Sequence, residues 1–320
     1  MAGTGSKLID FEVRRPRQDV IFRATARVAG AMTLALMAVI FVALLVRSYR
    51  ALHLVGIGKF LTTQQWVPEA GKFGVGSLLF NTVMIGVVAL VIAVPVSLCA
   101  ALLISEYSPP AVSSALKTLV ELLAAMPSVV FGYWGLEYLT PRIRPLSQWL
   151  ANHLAFLPIF KVTSSSFAGS TFIAGIVVAL MVSPVLTAVA QEVFFQAPSG
   201  QREAALALGG TKWGMIRKVV LPFGRGGIVG GTMLAFGRAV GETVAVVVVI
   251  SATATRQVHI LQSGANSISA WIAETWGESN PIGISALMAA GLTLFLLTLI
   301  VNAAASVIVN RTAKAGGPSL

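Results

Sequence analysis

Apolar residues along this chain come in long blocks, and polar residues gather between them. A run of about 18 or more apolar residues is long enough to cross a hydrocarbon core of about 30 Å as an α-helix. Six blocks meet that length: residues 28–46, 78–104, 115–139, 168–190, 227–251 and 284–310. The predicted fold is all-α, a polytopic membrane protein with six transmembrane helices. Pro95, Pro127 and Pro184 fall inside the second, third and fourth blocks, and each predicts a kink. Lys117 and Glu121 lie one turn apart near the start of the third block and read as anchors that snorkel to a membrane boundary.

The same pattern divides the chain into regions. Residues 1–27 form a basic, cytoplasmic N-terminal segment, which fits a short interfacial helix or a disordered tail. Residues 28–73 hold the first span and an outer loop. Residues 74–310 form a five-span core with a long inner loop at 193–226, and residues 311–320 form a cytoplasmic tail. The outer connections contain Gly, Pro, Ser and Trp, and they predict short helices or re-entrant pieces.

Composition agrees with the block pattern: 56% of residues are hydrophobic, 11% are charged and the mean hydropathy is +0.83. A soluble domain carries about 25% charged residues, so a water-filled setting for the whole chain is excluded. Even span number puts both termini on one side. With that side inside, thirteen Lys and Arg fall on inner segments against eight on outer ones, which favours cytoplasmic termini. The first block is too long for the apolar part of a signal peptide and is followed by RSYRALH, so it reads as a retained span. Cys99 is the one cysteine, which excludes an internal disulfide. His53, His153 and His259 are scattered without metal-binding spacing, and no metal is expected.

The inner loop QEVFFQAPSGQREAALALGGTKWGMIRKVVLPFGRG has a pattern of its own. Helix formers around Glu203 to Leu208 give way to Gly209 and Gly210. Thr211 can then cap a second helix from Trp213 to Val220, ending before Pro222. Ala204, Ala205, Leu208, Trp213, Ile216 and Val220 would make apolar contacts, while Arg202, Lys212, Arg217 and Lys218 stay wet or meet acids. A stub this small cannot bury its own apolar face. Glu203, Ala204, Ala205, Gly209, Leu221 and Pro222 stand at the spacing of the EAA signature and resemble the ATPase-coupling segment of ABC importer permeases; Val219 replaces the usual Ile. That resemblance implies a type I ABC importer permease fold. It also implies that ATP, with Mg, is hydrolysed on partner ATPase subunits and that this chain is no enzyme and holds no cofactor. The chain contains no GxxxxGK[ST] phosphate loop.

Within the fifth block, FGRAVGET places Arg238 and Glu242 among apolar neighbours. An Arg at the centre of a span costs about 2.5–3.5 kcal/mol on insertion scales, so the position needs a compensating reason. Four residues apart on one helical face, the two should face the bundle interior and partly neutralise each other. Gly226 with Gly230, Gly227 with Gly231, and Gly237 with Gly241 repeat a spacing that permits close helix approach. From the residues alone two roles stand open: an ion pair fixing helix register, or an Arg lining a solute path, its planar fork suited to phosphate.

FGRAVGETVAVVVVI, together with LLAAMPSVVFGYWGL in the third block, resembles the PstC family of phosphate importer permeases. The resemblance implies that Arg238 and Glu242 serve the substrate pathway. It implies a PstA-like second permease as heterodimer partner, a PstB-like ATPase dimer and a PstS-like external phosphate-binding protein, all in the cytoplasmic (inner) membrane or against it. No nucleic acid is expected. The competing readings are a self-contained anion channel or ion-coupled carrier, an ABC permease for another oxyanion such as sulfate or molybdate, and, far behind, a membrane enzyme using Glu121 or Glu242.

Overall fold

The computed structural model describes residues 17–162, 167–250 and 258–315. Five helices are long and apolar enough to cross a membrane, or six if one sharply bent pair is counted as a single span. The elements in chain order begin with α1 (Arg17–Val55), α2 (Ile57–Thr62) and a two-stranded antiparallel hairpin of β1 (Trp66–Val67) and β2 (Lys72–Phe73). Then come α3 (Gly76–Leu102), α4 (Pro110–Ala125), α5 (Ser128–Trp134), α6 (Thr140–His153) and α7 (Thr171–Phe195). The second half holds α8 (Ser199–Ala207), α9 (Lys212–Met215), α10 (Leu221–Gly241), α11 (Val244–Val249), α12 (Ile268–Thr275) and α13 (Pro281–Ala315).

Helix α7 is the axis of the core. Its buried residues run along most of its length, from Thr171 to Phe194, and it packs against α3, α4 and α10. Small residues allow this: a Cβ added at Gly175 would collide with Val88 of α3, and one at Gly231 would lie 2.9 Å from Val189 of α7. Gly227 also meets Val193 of α7, so the Gly227 and Gly231 spacing is the predicted close approach. The other two predicted pairs are not at tight contacts. Gly226 and Gly241 have open space around them, Gly230 would give its Cβ an ordinary contact with Val309, and Gly237 one with Asn302, both on α13.

Helix α1 stands outside this core and is exposed through most of its span, as a lipid-facing helix must be. It leans on α13. The Ala51 N–H donates to Ser285 Oγ (3.1 Å), whose hydroxyl donates back to the Arg47 carbonyl (2.8 Å). Phe41 and Phe295 pack with ring centroids 5.8 Å apart.

Two expected spans differ in detail. The third is not one kinked helix but two, α4 and the α5–α6 run, bent by 89°. Pro127 removes a backbone donor, and Met126 before it takes an extended backbone, so the break falls where the residue preceding a proline leaves the helical region. Pro95 and Pro184 instead lie within helices that continue on both sides. The fifth span starts earlier, running helically from Lys212 to Gly241, and it ends sooner, at Glu242. Pro222 therefore does not terminate the second loop helix; a π turn over Ile216–Val220 precedes it and the helix passes through. The outer connections do contain short helices, α2 and α12, beside the hairpin.

Candidate functional site

Glu242 sits where α10 stops. Its backbone is extended (φ −66°, ψ 126°), and α11 begins two residues later. Gly241 weakens the helix end, and the Val-rich run from Val244 to Val249 resumes helix after the break. The Glu242 carboxylate accepts the Ala245 N–H at 3.2 Å, satisfying a donor at the α11 N-terminus, where negative charge is favoured. Its carbonyl accepts the Ser269 hydroxyl of α12 at 2.7 Å.

Arg238 lies one turn earlier, in the last turn of α10, where a cation complements the carbonyl end of the helix. It is exposed, as are Leu234 before it and Gly241 after it. Among the described residues no ion pair joins Arg238 to Glu242 or to another acid. The expected same-face neutralisation is thus corrected. The four-residue rule holds only along a continuous helix, and the break at Glu242 turns its carboxylate into an α11 cap. The expected inward orientation is corrected with it, because Arg238 points away from this chain's own core.

The structure brings together the two stretches that carried the family resemblance. α5 packs on α11, and Gly132 is close enough that a Cβ there would lie 3.1 Å from Ala245 Cα and 3.2 Å from Val248 Cβ. The residue that needs a small neighbour on the third span thereby sits against the residue capped by Glu242. Lys117 and Glu121 lie apart from this junction. Lys117 rests over the Phe195 ring at 4.1 Å, and Glu121 is exposed.

The loop between α7 and α10 forms a second site. α8 is followed by Gly209, whose φ of 80° is a left-handed conformation suited to glycine. Gly210 donates its N–H to the Ala205 carbonyl (3.2 Å), and a Cβ there would come within 2.5 Å of that oxygen. Thr211 Oγ1 then accepts the Gly214 N–H at 3.1 Å, the expected cap. Ile216 and Val220 are buried with Met215, Phe194 and Ala101. Leu208 is 89% exposed and Trp213 55%, so half of the expected apolar contacts are left uncovered by this chain. Glu203, Ala204 and Pro222 are exposed as well, while Leu221 is half-buried.

Sequence reasoning missed two sets of residues. Glu106 from the short connection after α3 is buried and forms an ion pair with Arg202 of α8 at 3.1 Å, and Arg202 also donates to the Phe194 carbonyl. Separated by nearly a hundred positions, the pair left no local spacing to find. Asn266, Ser267 and Ser269 are all buried around the start of α12. The Asn-Ser step before the apolar ISAWIAET did carry a legible N-cap signal, and Ser267 Oγ accepts the Ala270 N–H at 3.1 Å. Glu274 on α12 accepts the Asn266 side-chain N–H at 2.7 Å; burial pushes its carboxyl above the usual range of 4.5, and the hydrogen bond offsets part of that rise. His53 packs at a tilt against Tyr49, His153 stacks on Trp149, and His259 meets the Pro158 carbonyl at 2.7 Å. Among the described residues no group of three or more His, Cys, Asp or Glu is arranged to hold a metal.

A helical bundle with an inner helix–turn–helix loop between its spans is the architecture of an ABC importer's membrane component. Residues 93–314 match the family of binding-protein-dependent transport system inner membrane components. The permease of a bacterial ABC transporter involved in import of the acidic polysaccharide alginate superposes with TM-score 0.61 at 16% identity, covering 92% of this chain and 96% of the other. A permease of the inward-facing MetNI methionine transporter superposes with TM-score 0.55 at 16% identity, covering 74% and 95%. Those likenesses give the type I importer permease fold. At the level of sequence, phosphate transport system permease protein PstC 2 of Mycobacterium tuberculosis is 39% identical over 315 residues, covering 95% of this chain and 96% of its own length. PstC of Xylella fastidiosa is 33% identical over 312 residues, covering 96% and 95%. The chain belongs to the PstC family of phosphate transport system permeases, multi-pass proteins of the inner membrane.

Proposed function

We propose that this chain is the permease subunit of an ATP-driven importer that moves inorganic phosphate across the cytoplasmic membrane. The single observation that carries the reading is Arg238, an exposed guanidinium without an acidic partner among the described residues, at a break in an otherwise apolar span. A cation in that setting is unfavourable without an anion to meet it, and a guanidinium fork matches the oxygens of a phosphate. Because Arg238 points away from its own bundle, the path it serves runs along the outer face of α10. A second, PstA-like permease then closes the other wall. Glu242 acts in this pathway by setting the break that ends α10 one turn after Arg238.

The uncovered Leu208 and Trp213, with Glu203, Ala204, Ala205, Gly209, Leu221 and Pro222, form the surface that docks on a PstB-like ATPase dimer, where ATP and Mg are bound. A PstS-like protein delivers phosphate on the outer side, and both termini are cytoplasmic. The test is uptake of labelled phosphate by cells relying on this permease. Arg238→Gln lowers uptake by roughly 10- to 150-fold while the assembly stays in the membrane at normal abundance; undiminished uptake would refute the reading. Transport by the purified chain alone in liposomes, insensitive to ATP, would instead establish a self-contained channel or carrier.

A further inference from the structure

The break at Glu242 poses a physical problem. A carbonyl in extended backbone between two helices lies outside both hydrogen-bond ladders, and at half-buried Glu242 it needs a partner of its own. Ser269 supplies its partner at 2.7 Å. The proton count around this contact fixes its direction. Each serine hydroxyl has one hydrogen to give. Ser269 gives its hydrogen to the Glu242 carbonyl, so in the 3.1 Å contact between Ser267 Oγ and Ser269 Oγ the donor is Ser267. Ser267 keeps lone pairs for the Ala270 N–H, which it caps, and its own N–H donates to Asn266 Oδ1 at 2.8 Å. The Asn266 amide then donates to Glu274 at 2.7 Å.

One chain of hydrogen bonds thus runs from Glu274 through Asn266, Ser267 and Ser269 to the break. Asn266, Ser267 and Ser269 are at most 8% exposed. The base of this ladder is pinned to the core by a separate bond, since the Ile268 N–H donates to Thr82 Oγ1 of α3 at 2.9 Å and Thr82 donates in turn to the Leu78 carbonyl at 2.6 Å. α12 is therefore attached at its first turn to a core helix and to the break at once.

We propose that Ser269 is a positioning residue of the pathway, and that α12 is a strut which, through Ser269, fixes the junction between α10 and α11 and so sets where Glu242 and the preceding Arg238 stand. The inference rests on the reading of Arg238 and Glu242 given above and adds to it the residue that holds their geometry. Ser269 touches no solute in this account; it acts through the Glu242 backbone.

The experiment uses the whole assembly and three variants. Ser269→Cys is nearly isosteric but weakens the donor, Ser269→Ala removes it, and Ser269→Thr retains a hydroxyl. Loss of one hydrogen bond to this part-buried carbonyl lowers the maximal uptake rate about fivefold in the Cys and Ala variants. The half-saturating phosphate concentration stays within about twofold, since capture at the outer side is untouched. In parallel, hydrogen exchange of the purified assembly is followed in the peptide spanning 242–250, where amides exchange about fivefold faster in the Cys and Ala variants and as in the parent for Thr. Unchanged exchange in Ser269→Cys, or equal losses in Thr and Cys, would overturn the proposal. The exchange arm stands apart from transport: if the parent assembly moves no phosphate at all, the functional reading fails while exchange still decides whether Ser269 holds the junction.

Discussion

Two Arg–Glu combinations in this molecule have opposite fates. Arg202 and Glu106 are far apart in sequence and meet in an ion pair whose carboxylate is buried. Arg238 and Glu242 are four residues apart and do not pair, because the helix that would have aligned them ends between them. The first is a closed contact whose charges answer each other and hold α8 to the end of α3. The second leaves a cation open and uses the carboxylate to begin another helix. The closed pair fastens two elements of the fold; under the proposed function, the open cation is the one that meets a passing anion.

The contrast can be broken from either side. The largest expected effect is on the closed pair. Arg202→Met strands the buried Glu106 carboxylate and should destabilise the assembly by about 3 kcal/mol, seen as a lower Tm and reduced membrane abundance. Adding Glu106→Leu should recover much of that loss, because an apolar pair of similar size needs no charge partner; a double variant as unstable as the single one would show that the pair acts through something other than its charges. Arg238→Gln comes next. Removing a charge-assisted contact worth about 1.5–3 kcal/mol lowers phosphate uptake by roughly 10- to 150-fold, with Tm little changed because the guanidinium contributes to the fold only through the α10 carbonyl end, worth at most about 1 kcal/mol.

Glu242 separates charge from capping. Glu242→Gln keeps an oxygen for the Ala245 N–H, whereas Glu242→Ala removes the cap, so the two should differ in stability by about 1 kcal/mol, with Gln nearer the parent. Equal Tm values would mean that the cap carries no weight. The smallest effect is at Glu274. Its carboxyl is raised above 4.5 by burial, so the fold favours the protonated form. Stability from this group is fullest below 4.5 and is lost as pH rises through the higher folded-state value. Glu274→Gln should flatten that decline, read as a smaller Tm drop between pH 4.5 and 7 than in the parent.

How far the sequence could be read depended on the range of each interaction. Membrane spans, the Gly209–Gly210 break and the Thr211 cap follow from local composition and local backbone chemistry, and the structure has them. Pro127 announced a disruption but not its size, because a proline inside an apolar run can bend a helix or end it, and the packing of α5 on α11 selects the latter. The Glu242 break was misread for a related reason. Nothing in GRAVGETVAV forbids a continuous helix by propensity alone; the extended backbone persists because Ser269 and the carboxylate cap satisfy the groups that a break exposes.

The sequence by itself determined that the chain lives in a membrane, how many blocks can cross it, where its coupling-type loop lies and which permease family it joins. These are properties of hydropathy and short motifs, and they survive any folding arrangement. The tertiary structure alone decided which charges meet, which glycines are approached and which way Arg238 points. Those outcomes depend on contacts between residues tens or hundreds of positions apart, where a buried charge or an orphaned carbonyl must find its partner from whatever the fold brings near.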